Sequence, residues 1–148
     1  MRFPDRARII LYRKFVRRAG RYLVESLKVS NAADRIVVYQ KPTCSKCISA
    51  ISILKDRGAD FEAVNYYEVS LKPDELAELI AKLGIPATDL LRKDEQVYRD
   101  LKLDQRELSD AELVDLMVKY PDLIQRPIVV RGKRAILGRP PENVKEIL

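Results

Sequence analysis

Two cysteines, the only ones in the chain, stand three residues apart in Pro42-Thr43-Cys44-Ser45-Lys46-Cys47. They follow the apolar run Ile36-Val37-Val38-Tyr39 and precede a helical pattern, Ile48, Ile51, Ile53 and Leu54, that ends at Gly58. A strand, a tight turn and a helix opening on a cysteine make a reactive thiolate. The first N–H groups of a helix lack intrahelical partners, and the helix dipole favours negative charge there. Both lower a thiol pKa, and the thiolate is the nucleophile. Thr43 or Cys44 falls at the N-cap, and Lys46 adds a positive charge nearby. Cys47 lies one turn on, within reach of a disulfide to Cys44. The pair therefore reads as dithiol–disulfide redox chemistry. The competing reading is a buried or zinc-holding pair. Zinc takes about four ligands, and the chain has no histidine and no third cysteine.

The missing histidine also removes Ser/His and Cys/His mechanisms from within the chain. Proton transfer must use water, substrate, thiol, carboxylate or lysine. No Gly-rich phosphate loop and no cluster of metal ligands occurs, so no bound metal, nucleotide or flavin is expected. No apolar run approaches the ~20 residues of a membrane span, and no secretory signal is visible. Two close cysteines without a wider disulfide framework suit a reducing compartment, so a cytoplasmic protein is expected.

The formal net charge of +6 is unevenly placed. Residues 1–33 carry nine Lys/Arg against two Asp/Glu, whereas residues 34–148 carry nineteen against twenty. The basic character belongs to an N-terminal extension, and the chain divides into that extension (1–33) and one domain (34–148). Within the extension, Ile9, Ile10, Tyr12, Phe15, Val16, Tyr22, Leu23 and Leu27 give a partly helical apolar pattern among Arg13, Lys14, Arg17, Arg18 and Arg21. Four readings stand side by side: an arm packed on the core or on another chain, a basic amphipathic helix on an anionic membrane or nucleic acid, an organelle-targeting segment, and non-native residues from an upstream start. Any membrane or nucleic-acid contact is expected only through this segment, and the protein is expected to be a monomer.

From Arg35 on, the pattern predicts a strand over 35–40, a helix over 44–57 and a second strand over 61–66. A helical crossover makes the two strands parallel. Pro73-Asp74-Glu75 opens a helix that ends at Gly84, with Leu76, Leu79, Ile80 and Leu83 on its apolar face. A short helix is predicted from Pro86 to Leu91, and a helical or turn-like segment over 94–103. Ser109-Asp110-Ala111-Glu112 is a capping box for a further helix that stops at Tyr120-Pro121. Ile128-Val129-Val130 and Ala135-Ile136-Leu137, joined through Gly132, read as a hairpin. A final helix is predicted from about 141. The fold class is α/β: a mixed four-stranded sheet with helices on both faces, a helical insertion, and a basic N-terminal helical extension.

Four separated motifs together resemble the glutaredoxin-type arsenate reductases: Cys44-Ser45-Lys46-Cys47 behind its strand, Leu90-Leu91-Arg92-Lys93-Asp94-Glu95, Leu123-Ile124-Gln125-Arg126-Pro127-Ile128-Val129-Val130, and Leu137-Gly138-Arg139-Pro140-Pro141. The resemblance runs from about Arg35 to Leu148. It implies a thioredoxin-like fold with a cis bond before Pro127, and Cys44 as the thiolate that attacks arsenate or a similar oxyanion. It implies that Arg92, Arg126 and Arg139 hold that oxyanion. Guanidinium suits the task, being always charged and able to offer two parallel hydrogen bonds to a tetrahedral anion. The co-substrate implied is glutathione or another thiol donor, with glutaredoxin or thioredoxin as reducing partner.

The chain departs from that family at three positions: Gln40 where histidine is common, Ile48 where arginine is common, and Cys47 in place of serine. Cys47 makes the motif resemble the Spx-type regulators, in which the two cysteines form a disulfide switch. Those regulators generally lack the Gly-Arg-Pro segment that contains Arg139 here. A third reading is a general thiol-disulfide oxidoreductase whose arginines hold another anion.

Overall fold

A computed structural model describes residues 34–148; the expected basic helix over 1–33 lies outside the described residues. The chain runs β1 (Ile36–Gln40), α1 (Ser45–Asp56), β2 (Phe61–Asn65), α2 (Pro73–Leu83), α3 (Ala87–Leu90), α4 (Gln96–Asp100), α5 (Asp110–Lys119), β3 (Ile128–Arg131) and β4 (Arg134–Leu137). Short 3-10 turns lie at Leu103–Gln105 and Pro121–Leu123, and a longer one at Pro141–Ile147. The strands form one sheet in the order β2-β1-β3-β4. β1 and β2 are parallel, while β1–β3 and β3–β4 are antiparallel. This is the thioredoxin-like arrangement, with the helices α2 to α5 inserted between β2 and β3.

Side chains alternate across a strand, and the central strands pack on both faces. Ile36 and Val38 of β1 join Val129 of β3 beneath Ala50 and Leu54 of α1, with Val144 and Ile147 from the C-terminal turn. On the other face, Ile128 and Val130 pack with Ala135 of β4 and with Leu76, Leu79, Leu113, Val114 and Met117 of the insertion. Each cluster buries side chains worth about 1.5–3 kcal/mol apiece against exposure. The runs at β1 and β3 are therefore almost wholly apolar: β3 is buried on both faces up to Arg131, and β1 is buried on one face and half-buried at Val37 and Tyr39 on the other.

Local signals set the ends of the elements. Ser109 accepts from the Glu112 N–H at 3.2 Å and the Glu112 carboxylate accepts from the Ser109 N–H at 2.8 Å, which is the predicted capping box. The two-residue loop between β3 and β4 begins at Gly132, whose φ of 61° is a value that side chains resist. The predicted C-terminal helix proves to be a 3-10 helix over Pro141–Ile147. Its buried residues are Pro141, Val144 and Ile147. A spacing of three lines up along a 3-10 helix, with three residues per turn, and drifts around an α-helix.

Candidate active site

Cys44 caps the N-terminus of α1 in extended backbone, with φ −82° and ψ 122°. Its N–H donates to the Lys41 carbonyl at 3.0 Å, which closes the turn out of β1. The first turn of α1 contains no acidic residue to compete for the free N–H groups. Burial raises the Cys44 thiol pKa. The N–H of Cys47, the Cys47 thiol, the Arg126 guanidinium and the N–H of Lys46 outweigh that and bring it down to about 7. Lys46 thus acts through its backbone. Cys47 is fully buried, and burial pushes its thiol up to about 12, against the pull of the Lys41 backbone. Both cysteines are free thiols. The two differ by environment: near neutral pH Cys44 is the readily ionised thiol and Cys47 stays protonated.

Arg126 stands beside Cys44 although 82 residues separate them in the chain. It is only 7% exposed. Burial works against its charge, but Tyr66, Cys44 and Tyr67 outweigh it and keep the guanidinium firmly protonated. Arg126 Nη1 donates to the Tyr67 hydroxyl at 3.1 Å. That hydroxyl in turn donates a short bond to Asp122 Oδ1. Asp122 Oδ1 also lies 3.5 Å from Lys41 Nζ and 4.0 Å from Arg126 Nη1. Lys41 Nζ sits 4.6 Å above the Tyr67 ring. Arg126 Nε and the Tyr66 hydroxyl are buried and have no hydrogen-bond partner among the described residues. The bonds Arg126–Pro127 and Arg139–Pro140 are both cis.

Arg92 and Arg139 meet elsewhere, in a cleft of about 470 Å³ lined also by Thr88, Asp89, Lys93 and Gln125. Arg92 is held by one nitrogen: Nη2 lies 3.0 Å from Glu95 Oε1 and 3.7 Å from Asp94 Oδ2. Its Nε and Nη1 are buried without a partner among the described residues. A buried guanidinium nitrogen left unpaired is costly, which fits a cleft made for an anion. Backbone bonds tie this cleft to the thiol side. The Arg92 N–H donates to the Leu123 carbonyl at 2.8 Å and the Gln125 N–H to the Leu90 carbonyl at 2.9 Å. Gln125, on the cleft wall, immediately precedes Arg126. The Cys44 side chain does not line the cleft.

Arg139 is set by its neighbours. Asn143 Nδ2 donates to the Leu137 and Arg139 carbonyls at 3.3 and 3.2 Å. The Gly138 N–H donates to the Pro127 carbonyl at 2.9 Å. A Cβ on Gly138 would lie 2.6 Å from Pro127 Cγ, so glycine is what lets the Arg139 segment pack on Pro127.

Tyr66, Tyr67 and Asp122 were not singled out as site residues from the sequence. The tyrosines had a signal. Parallel β1 and β2 bring their carboxyl ends to one edge of the sheet, so the residues after Asn65 come out beside the turn that carries Cys44. Asp122 had none, since it reaches the site only through tertiary folding.

Fold and site together define a thioredoxin-like protein with a dithiol at the start of a helix, Arg126 beside it, and Arg92 and Arg139 in a cleft of their own. The ArsC family model matches residues 39–147, and the chain belongs to that family. It is 38% identical over 115 residues to the uncharacterized protein YfgD of Escherichia coli (strain K12), covering 77% of this chain and 97% of that protein. It is 37% identical to an arsenate reductase of the same strain, over 78% of this chain and 82% of that enzyme. Among solved structures, an arsenate reductase from Vibrio cholerae superposes with a TM-score of 0.74 at 38% identity, covering 78% of this chain and 98% of that one.

Proposed function

We propose that residues 34–148 form a thiol-dependent arsenate reductase domain, with 1–33 as an extension to it. Arsenate is what several curated relatives are named for reducing. The observation that carries the reading is Cys44 at the N-terminus of α1 with Arg126 beside it, a thiol brought down to about 7.

In this reading the Cys44 thiolate attacks arsenic(V), and an arsenate oxygen leaves as water after taking up protons. Arg126, Arg92 and Arg139 offset the oxyanion charge as it meets the thiolate. A second thiol then attacks the Cys44 sulfur. The S–As bond breaks, its electron pair stays on arsenic, and arsenite leaves as arsenic(III) with the thiol's proton. Two thiols have become one disulfide, which accounts for both electrons. The second thiol is Cys47, giving a Cys44–Cys47 disulfide that glutaredoxin or thioredoxin reduces, or it is glutathione. Cys47 favours the internal route by lying one turn away, and its raised pKa makes Cys44 the first to attack.

The test is arsenite production from arsenate by the reduced full-length protein, supplied with glutathione plus glutaredoxin or with thioredoxin. Turnover present in wild type and abolished by Cys44→Ser is expected. The Cys47→Ser variant then reports the second thiol: turnover that survives with glutathione assigns it to glutathione, and turnover lost with every donor assigns it to Cys47. Absence of arsenite with every donor would leave the Cys44–Cys47 pair as a disulfide switch or a general oxidoreductase and sink the proposal.

A further inference from the structure

We propose that Tyr67 and Asp122, backed by Lys41, are positioning residues that clamp the Arg126 guanidinium against Cys44. The inference rests on Cys44 as the reactive thiol of the site, and it does not depend on which oxyanion that site takes.

Donors and acceptors fix the direction of the clamp. Arginine can only donate hydrogen bonds and an ionised carboxylate can only accept them. A hydroxyl does both, so Tyr67 can link the two in one direction: Arg126 Nη1 to the Tyr67 oxygen at 3.1 Å, and the Tyr67 O–H on to Asp122 Oδ1. Burial and the bond to Asp122 both push the Tyr67 hydroxyl well above its ordinary pKa, so it keeps the proton that the chain of bonds requires. The same bond, with Lys41 beside it, holds the Asp122 carboxyl below its usual range. Lys41 anchors the far end from the turn that also carries Cys44, 3.5 Å from Asp122 Oδ1 and over the Tyr67 ring. The clamp therefore spans three separate pieces of chain: the β1–α1 turn, the end of β2 and the turn before β3.

The clamp also uses one particular nitrogen. Nη1 is taken by Tyr67, while Nε on the other edge of the guanidinium is buried and has no partner among the described residues. An arginine tethered in this way leaves Nε unpaired and loses little rotamer freedom when an anion arrives. Arg92 also keeps nitrogens unpaired, Nε and Nη1, although its Nη2 is held directly by carboxylates.

The test is the pH dependence of iodoacetamide alkylation at Cys44 in the reduced full-length protein, read by peptide mass. The groups that face or surround this thiol are Cys47 and the N–H of Lys46 on α1, Arg126 before β3, Tyr66 and Tyr67 after β2, Lys41 in the β1–α1 turn, and Asp122. Tyr67→Phe removes one oxygen from a part-buried ring. The clamp predicts alkylation about threefold slower at pH 7 and unchanged at pH 10, where the thiol is ionised in both proteins. Asp122→Ala separates the clamp from a simple charge effect. Losing a negative charge near the thiolate by itself speeds alkylation at pH 7, whereas loosening Arg126 slows it. Asp122→Asn keeps an acceptor for Tyr67 and is expected to restore the wild-type rate at pH 7 or exceed it. A wild-type profile in Tyr67→Phe, or faster alkylation at pH 7 in Asp122→Ala, would overturn the clamp. A wild-type midpoint near that of an ordinary thiol would instead overturn Cys44 as the activated thiol.

Discussion

The thiol side of the site and the arginine cleft both hold a buried guanidinium in place, by different means. Around Cys44 the one arginine is buried, tethered through a phenol and enclosed by Tyr66, Tyr67 and Asp122. In the cleft, Arg92 is tethered directly to the carboxylates of Glu95 and Asp94, and it shares about 470 Å³ of open space with Arg139. A neutral phenol stands between Arg126 and the Asp122 carboxylate, which is 4.0 Å from Nη1, so less of the guanidinium charge is cancelled than by a carboxylate in direct contact. Carboxylates beside Arg92 cancel part of the field at a place where no thiol needs it. In the proposed reading this contrast divides the labour: Arg126 activates the nucleophile, while Arg92 and Arg139 capture the substrate.

The largest expected effect breaks that comparison directly. Arg126→Ala should lower arsenate turnover by about 10²–10³-fold, the usual loss for a donor aimed at developing charge, and should also raise the pH at which Cys44 alkylates. Arg92→Ala and Arg139→Ala should raise the KM for arsenate and leave the alkylation profile where it was. Steady-state kinetics and mass-resolved alkylation on the same variants check both halves. If all three variants shift the alkylation profile equally, the two sides are not distinct.

A smaller effect concerns pH alone. The Cys44 thiol comes down from an ordinary 9.0 to about 7, so about half is thiolate at pH 7, against about one per cent for an unperturbed thiol. A lowered thiol pKa means that reactivity is gained as pH rises through that value. Alkylation should therefore climb to half its maximum near pH 7 and level off above pH 8. Cys47, pushed up to about 12, should remain unlabelled throughout that range.

The smallest effect tests the hinge between the halves. Gly138→Ala places a methyl 2.6 Å from Pro127 Cγ. Overpacking of that kind costs about 1–3 kcal/mol, so the melting temperature should fall by several degrees. The KM for arsenate should rise as Arg139 is displaced.

Much of the fold was legible because its signals are local. The N-terminal position of Cys44 followed from a strand, a turn and a helical repeat. The capping box at Ser109 and the hairpin glycine at 132 each act within four residues. The burial of β1, full on one face and partial on the other, was legible as an unbroken apolar run. The helix expected from about 141 carried a signal for its type in the spacing of Pro141, Val144 and Ile147, whose period of three suits a 3-10 helix. The site was legible only in part. Arg92, Arg126 and Arg139 came from resemblance, since nothing local distinguishes them from surface arginines. The Tyr67–Asp122 bond joins residues 55 apart and has no pattern in the sequence at all. Such a bond is set by how the insertion folds back on the sheet.

The claim at the centre is that the thiol and the arginine cleft serve one bound anion. The most direct test is protection of Cys44 from iodoacetamide by arsenate in the reduced protein without a reducing partner. Saturable protection in wild type, lost or much weakened in Arg92→Ala and Arg139→Ala while their unprotected alkylation stays normal, is the predicted result. Alkylation of wild-type Cys44 that arsenate leaves unchanged at every concentration would contradict it.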